Sequence, residues 1–218
     1  MTAPHSIRTV WLVRHGMRQD FEQDDWQATA ERPHDPPLSA SGRLQAGETG
    51  LFLRDKGLDR IYCSPFLRTV ETAAIIAEAC DVPVCIEHGL GEVLKAEWFP
   101  REPDFIPPKI LKQQFPSIDP AYRPRVRPHF PEDEESGELD ARCQKAVDAL
   151  LADDWSCALW VGHGASVGGM ARGLTGDMDG VCFEMCGLTG WTGTTGDWRR
   201  IYGGTEHLSV TDESLRFH

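Results

Sequence analysis

Three short segments carry residue types suited to chemistry on a phosphate ester: Arg14-His15-Gly16, Ser64 with nearby Arg68, and Gly162-His163-Gly164. A phosphate monoester is nearly a dianion at neutral pH, and a guanidinium grips such a group bidentately. Arg14 and Arg68 are the candidate clamps. A neutral imidazole attacks phosphorus directly and so splits one hard step into two. With an ordinary pKa of about 6.5, much of a histidine is neutral at physiological pH. His15 is the candidate nucleophile, and Gly16 beside it lets the backbone approach the phosphate. His163 is a candidate donor to the phosphoryl oxygens. A carboxylic acid must protonate the leaving oxygen and later activate water. Glu92 is the candidate for that role, with Glu87 and Glu97 close by.

The elements that would position these residues are legible in the pattern. Ile7 to Val13 is a short β-branched and aromatic run that reads as a buried strand ending at the first motif. Ser39 reads as the cap of a helix that runs to about Lys56 and stops at Gly57. Leu58 to Cys63 reads as a second strand, and Ser64-Pro65 as a cap with proline at the first helical position. Leu67, Val70, Ala74 and Ala77 then share one helical face, so Arg68 falls in a first turn, where an anion is favoured. Val82 to Glu87 is a third, weaker strand. Leu139, Cys143, Ala146, Val147 and Leu150 mark an amphipathic helix, and Cys157 to Val161 a fourth strand that ends at the second histidine motif. Val167, Met170, Ala171 and Leu174 mark the next helix, and Trp198 to Tyr202 and His207 to Val210 read as late strands.

Strands alternating with helices predict an α/β fold, a three-layer α/β/α sandwich on a largely parallel sheet. In such sheets ligands bind beyond the carboxyl ends of the strands. Three of the four strands end in the reactive segments, so the fold gathers residues distant in sequence at one edge. The chain, residues 1–218, reads as a single domain with a Pro-rich insertion at about 88–135. That insertion contains one short helix near Pro108 to Phe115. It is either a lid or wall over the site or a solvated loop packed on the surface, and Trp98, Phe99 and Phe105 either form an apolar wall for an aromatic leaving group or simply pack under the loop. His88 and His129 read as surface residues, and Glu132 to Glu135 as a solvated acidic run entering a helix.

Composition narrows the function further. The net charge of -12 repels nucleic acid and anionic lipid as a whole, so basic residues must be concentrated where an anionic substrate binds. No stretch approaches the roughly 18 apolar residues of a membrane span. Met1 to Arg8 shows no basic patch leading into an apolar run, so no secretory signal is expected and the expected location is cytoplasmic. Seven scattered cysteines, with no CxxC pair, read as free thiols of a reducing compartment. No metal-ligand cluster is visible, and neither metal nor cofactor is expected.

Leu12-Val13-Arg14-His15-Gly16 resembles the signature of the histidine phosphatase superfamily, also called phosphoglycerate mutase-like. Cys63 through Ala73 resembles the family segment that supplies a second arginine, and Val161-Gly162-His163-Gly164 the segment that carries a second histidine. Pro37 through Ala46 resembles its helix entry, and the four matches fall in family order across about residues 7 to 175. The segments Pro36 to Ser39, Gly89 to Leu94, Glu97 to Pro100 and Gln114 to Asp119, followed by Tyr122, are similar to the TULA/Sts and ecdysteroid-phosphate phosphatase branch. That branch resemblance implies Arg18 as a further phosphate-binding arginine, a homodimer, and aromatic or bulky phosphate esters such as phosphotyrosine or steroid phosphates as substrates. Met17 stands where most branches carry glutamate, and Arg18-Gln19-Asp20 departs from the usual mutase pattern. The expected function is a metal-independent phosphomonoesterase working through phosphohistidine on a small-molecule or phosphoprotein substrate. The alternatives are a mutase-like phosphotransferase and a non-catalytic module that binds a phospho-ligand.

Overall fold

The computed structural model of the chain describes residues 7–133 and 135–211. In chain order its elements are β1 (Arg8–Arg14), the single-turn α1 (Trp26–Thr29), α2 (Ala40–Leu53), β2 (Arg60–Cys63), α3 (Leu67–Cys80) and β3 (Val84–Ile86). There follow α4 (Pro108–Gln114), α5 (Glu138–Leu151), β4 (Cys157–Gly162), α6 (Gly164–Thr175), β5 (Leu188–Thr194) and β6 (Asp197–Gly204). Successive side chains of a strand point to opposite faces. β1 accordingly sends Trp11 and Val13 into an apolar cluster shared with α2 and α3. It sends Val10 and Leu12 into a second cluster shared with α5 and α6. The result is the expected three-layer sandwich. Leu12, Ile61, Phe66 and Ile76 are fully buried, and each such side chain contributes about 1.5–3 kcal/mol relative to exposure.

The sheet order is β3-β2-β4-β1-β5-β6. β3, β2, β4 and β1 are mutually parallel, while β5 and β6 close the sheet as an antiparallel pair. Parallel registry aligns the strand ends that matter. His15 N–H donates to Gly162 O at 3.0 Å, Ser64 N–H to Val161 O at 3.0 Å and Glu87 N–H to Cys63 O at 2.8 Å. The three reactive segments therefore leave the sheet side by side.

The structure departs from sequence expectation at several places, each for a physical reason. Ser64 does not cap a helix: α3 starts at Leu67, whose N–H donates to Asp35 Oδ1 at 2.7 Å. The Ser64 hydroxyl lies 2.7 Å from His163 Nε2 and is committed there. His207 to Val210 does not form a strand but lies against α2, with His207 Nε2 3.1 Å from Thr49 Oγ1 and Gln45 Nε2 donating to Val210 O at 3.2 Å. The residues of β5, LTGWTGT, do not read as a strand in the sequence, because two glycines dilute the strand preference of their Thr and Trp neighbours. The glycine at 190 has a packing cause, because a Cβ there would lie 2.6 Å from the Trp11 ring. The acidic run is not wholly solvated. Glu132 is buried in an ion pair with Arg142, and Glu134 lies outside the described residues. Residues 1–6, on which the expectation of no secretory signal rests, also lie outside them. Ser39 caps α2 as expected, accepting from Gly42 N–H at 3.1 Å. All seven cysteines stand as free thiols, five of them buried. Among the described residues no helix is long and apolar enough to cross a membrane.

Candidate active site

β1 ends at Arg14, and His15 follows in a segment clamped from below by α2. Ser39 N–H donates to Met17 O at 2.9 Å, and Gln45 Oε1 accepts from Met17 N–H at 2.9 Å. The approach is so close that a Cβ on Gly16 would lie 2.7 Å from Gly42 O, and one on Gly42 would lie 2.1 Å from Met17 O. Glycine at both positions is what lets the loop sit on the helix. Thr72 of α3 ties the same loop sideways, accepting from Gly16 N–H at 3.1 Å while donating to Arg68 O at 2.7 Å.

His15 is 1% exposed, so its single hydrogen bond decides its chemistry. Nδ1 lies 2.8 Å from Gly16 O. A carbonyl oxygen only accepts, so Nδ1 carries the proton and Nε2 keeps its lone pair. Burial, then the positive charges of Arg68 and Arg14, hold the pKa of His15 well below its ordinary value. The imidazole is thus neutral at physiological pH and free to act as a nucleophile.

Around it the predicted residues converge. The His15 and His163 rings are 5.3 Å apart between centroids, and His163 is fully buried. Arg68 Nη2 lies 3.1 Å from His163 Nδ1 and 3.5 Å from Glu92 Oε2. Arg68 can only donate, so Nδ1 of His163 accepts and its Nε2–H donates to Ser64 Oγ. Burial, then Arg68 and His15, push the His163 pKa well below the usual histidine value. Glu92 Oε2 is 3.4 Å from His163 Nδ1, and its other oxygen accepts from Val93 N–H at 3.1 Å. Arg14 donates from Nη1 to Phe183 O at 3.1 Å. The Nε atoms of Arg14 and Arg68 are buried without a hydrogen-bond partner. A buried, unpaired donor on a cation is costly, and an anion within reach of either Nε would satisfy it. Burial lowers the pKa of each, that of Arg68 to about 10, which leaves both charged at neutral pH.

Arg18 stands apart from this cluster in one respect. It lines the same cavity, but its guanidinium is paired with Asp20 and stacks 4.4 Å from the Phe21 ring. Glu87, the nearby rival to Glu92, is fully buried and accepts from Gly89 N–H, Val126 N–H, Arg125 N–H and the Tyr122 hydroxyl. It pins the insertion to the sheet edge and is spent there. Glu97 is not among the residues that line the cavity.

The cavity over His15 measures about 1020 Å³. Phe21, Trp98, Phe99, Phe183 and Met178 line it beyond the charged end. Trp98 and Phe99 therefore form part of a wall, in line with one of the two readings of the insertion. Phe105 does not line it; its ring packs on Phe66 at 5.0 Å and on His88 at 5.3 Å. His88 is half-buried by that packing and is not the surface residue expected, and burial drives its pKa down to about 4. His129 is exposed beside Glu138.

Sequence reasoning missed Ser64 as the partner of His163, Asp35 as the cap of α3, Phe183 as the carbonyl that holds Arg14, and Arg142. Arg142 donates to Gly89 O, Gly91 O and Glu92 O, and to both oxygens of Glu132. A signal for it existed, since position 142 lies on the buried stripe of α5 between Leu139 and Ala146.

A protein of Yersinia enterocolitica named probable phosphoglycerate mutase GpmB is 31% identical over 170 residues, covering 77% of this chain and 74% of that one. The ecdysone phosphate phosphatase of Bombix mori, solved in complex with tungstate, superposes with a TM-score of 0.77 at 22% identity, over 97% of this chain and 98% of that one. A mutant phosphoserine phosphatase of Entamoeba histolytica, solved in complex with phosphoserine, superposes with a TM-score of 0.59 at 22% identity, over 92% and 99% of the two chains. Residues 10–192, which include Arg14, His15, Arg68, Glu92 and His163, match the histidine phosphatase superfamily (branch 1), and the chain belongs to that superfamily.

Proposed function

We propose that the chain is a metal-independent phosphomonoesterase that acts by double displacement at His15, on aromatic or bulky phosphate esters. The observation that carries this reading is a neutral His15, with Nε2 unprotonated, in a cavity where buried Arg68 and half-buried Arg14 each keep a buried, unpartnered Nε. His15 Nε2 attacks phosphorus as the bond to the leaving oxygen breaks, and Glu92 delivers its proton to that oxygen. A water then attacks phosphorus, Glu92 takes the water's proton, and the N–P bond breaks to release phosphate. Arg14, Arg68, His163 and Arg18 hold the equatorial oxygens, where positioning and charge stabilisation supply most of the catalysis. A phosphate dianion opposes the arginine charges that, second to burial, keep His163 neutral, and so favours the protonated ring that donates to it.

The leaving group is read from the cavity. A space of about 1020 Å³ lined by Phe21, Trp98, Phe99 and Phe183 suits a phenol or a steroid better than a small, charged sugar acid. That a phosphatase solved with tungstate, an oxyanion resembling phosphate, is among the superposed structures supports the phosphatase reading. A second reading, mutase-like phosphoryl transfer, is favoured by the likeness to proteins named probable phosphoglycerate mutase.

The test is p-nitrophenyl phosphate hydrolysis in EDTA by wild type and His15→Ala, with 3-phosphoglycerate run in parallel and assayed for its 2-isomer. The expected result is wild-type hydrolysis, none by the variant, and no isomerisation. Isomer formation without net hydrolysis would replace this reading with the second. Near-normal turnover by the variant would remove His15 as nucleophile.

A further inference from the structure

Glu92 follows the single helical turn His88–Leu90 in a stretch that belongs to neither a helix nor a strand. No ladder of backbone hydrogen bonds fixes its carbonyl groups, so something else must. Arg142, 5% exposed, projects from α5 beneath this stretch. Its five N–H donors meet five acceptors. Nη1 donates to Gly89 O at 2.7 Å and Gly91 O at 3.1 Å, and Nη2 donates to Glu92 O at 3.2 Å. The remaining two bonds run to Glu132, from Nε at 2.5 Å and from Nη2 at 3.0 Å.

Glu132 completes the frame from the far side of Glu92. Its Oε2 accepts from Leu94 N–H at 3.1 Å, and its own N–H donates to Leu94 O at 2.9 Å. The backbone on either side of Glu92 is thus suspended from one buried ion pair. A planar guanidinium fits this task because its donors form a rigid fork. A packing role alone would not require every donor to be spent on this stretch and on the carboxylate that braces it.

We propose that Arg142, braced by Glu132, is a positioning residue that sets where the Glu92 carboxyl meets the leaving oxygen. The inference rests on the reading of Glu92 as proton donor. Loosening the frame misplaces the acid while leaving His15, Arg14 and Arg68 where they are. Poor leaving groups, which need the proton, then suffer more than good ones.

The experiment compares kcat for p-nitrophenyl phosphate and phenyl phosphate across wild type, Glu92→Gln, Arg142→Lys, Glu132→Gln and the Arg142→Lys/Glu92→Gln double variant. General acid catalysis contributes about 10²–10⁴-fold. Arg142→Lys and Glu132→Gln are expected to lower kcat on phenyl phosphate at least ~10-fold more than on p-nitrophenyl phosphate. The double variant is expected to be no slower than Glu92→Gln, because the frame acts only through Glu92. Equal slowing of both esters by the frame variants, or additive losses in the double variant, would reduce Arg142 to a structural role and overturn the proposal. If Glu92→Gln itself slows both esters equally, the acid assignment of the preceding section fails instead. Should Arg142→Lys not fold, Glu132→Gln, which keeps an acceptor oxygen for the guanidinium, decides the matter on the same two esters.

Discussion

Replacing Gly42 by alanine should disable the site from a distance. Gly42 lies in the first turn of α2, and a Cβ there would sit 2.1 Å from Met17 O and 2.8 Å from Met17 N. Ordinary van der Waals contact begins at 3.4 Å, so helix and loop must part by about 1.3 Å. The contact at Met17 N falls on the peptide whose carbonyl, Gly16 O, accepts the His15 Nδ1 proton. Displacing that peptide therefore loosens both the position of His15 and the bond that selects its tautomer. A misplacement of about 1 Å costs on the order of 10²-fold in rate. The stability change is smaller. Overpacking costs about 1–3 kcal/mol, and alanine in place of glycine in a helix returns about 1 kcal/mol. The net loss of up to about 2 kcal/mol corresponds to a Tm drop of no more than about 8 °C for a chain of this size. Steady-state hydrolysis of p-nitrophenyl phosphate, read beside a thermal melt, separates the two effects. Gly47→Ala is the control, since a Cβ there meets nothing within 4 Å. Wild-type kcat in folded Gly42→Ala would refute the claim that this glycine contact holds His15 in register.

Further outcomes follow from the same contacts. Arg68→Lys loses the fork that reaches His163 and Glu92, and should weaken binding of tungstate or vanadate about 10–100-fold, the worth of a charge-assisted hydrogen bond; unchanged inhibition constants would exclude Arg68 from the anion site. His15 and His163 are buried with depressed pKa values, so below about pH 6.5 the unfolded chain takes up protons that the folded chain refuses. Stability should therefore be flat above that pH and fall by up to about 1.4 kcal/mol per pH unit per histidine between about pH 6.5 and 5. His15→Ala should flatten that slope in chemical denaturation, and an identical slope would mean that His15 does not titrate this way. Asp35→Ala removes the acceptor of Leu67 N–H at the start of α3 and should cost about 1 kcal/mol in urea denaturation; an unchanged midpoint would deny the capping role. Trp98→Ala should raise KM for aryl phosphates about tenfold and leave that for a small alkyl phosphate unchanged. Equal changes for both would argue that Trp98 does not touch the leaving group.

The electrostatics of the site share one logic. Two buried histidines are kept neutral by burial and by neighbouring arginines, and those arginines keep donors unspent in the absence of an anion. Folding therefore stores an unfavourable positive field at the sheet edge, within a chain whose net charge is -12. Under the proposed function a phosphate dianion would relieve it, and the same arginine charges that would select the substrate add to burial in keeping His15 neutral.

Local sequence determined a good deal of this protein. The β-branched run before Arg14 specified β1, and the apolar run Cys157 to Val161 specified β4. The stripe of Leu139, Cys143, Ala146 and Leu150 specified α5. Strands and helices in alternation were enough to place His15, Arg68 and His163 at one edge, because parallel strands joined by crossovers expose the same ends together. β5 was not legible because its glycines dilute the strand preference of its Thr and Trp residues, and Gly190 answers to the Trp11 ring on a neighbouring strand. Ser64 looked like a cap because serine before proline commonly is one; a histidine ninety-nine positions away claims its hydroxyl instead. Glu132 looked solvated because its neighbours are acidic, yet Arg142 withdraws it from water. What only the tertiary structure decided was the partner of each buried polar group. Periodicity records which face of an element is apolar, whereas a hydrogen-bond partner is chosen by three-dimensional proximity among residues that the chain separates widely.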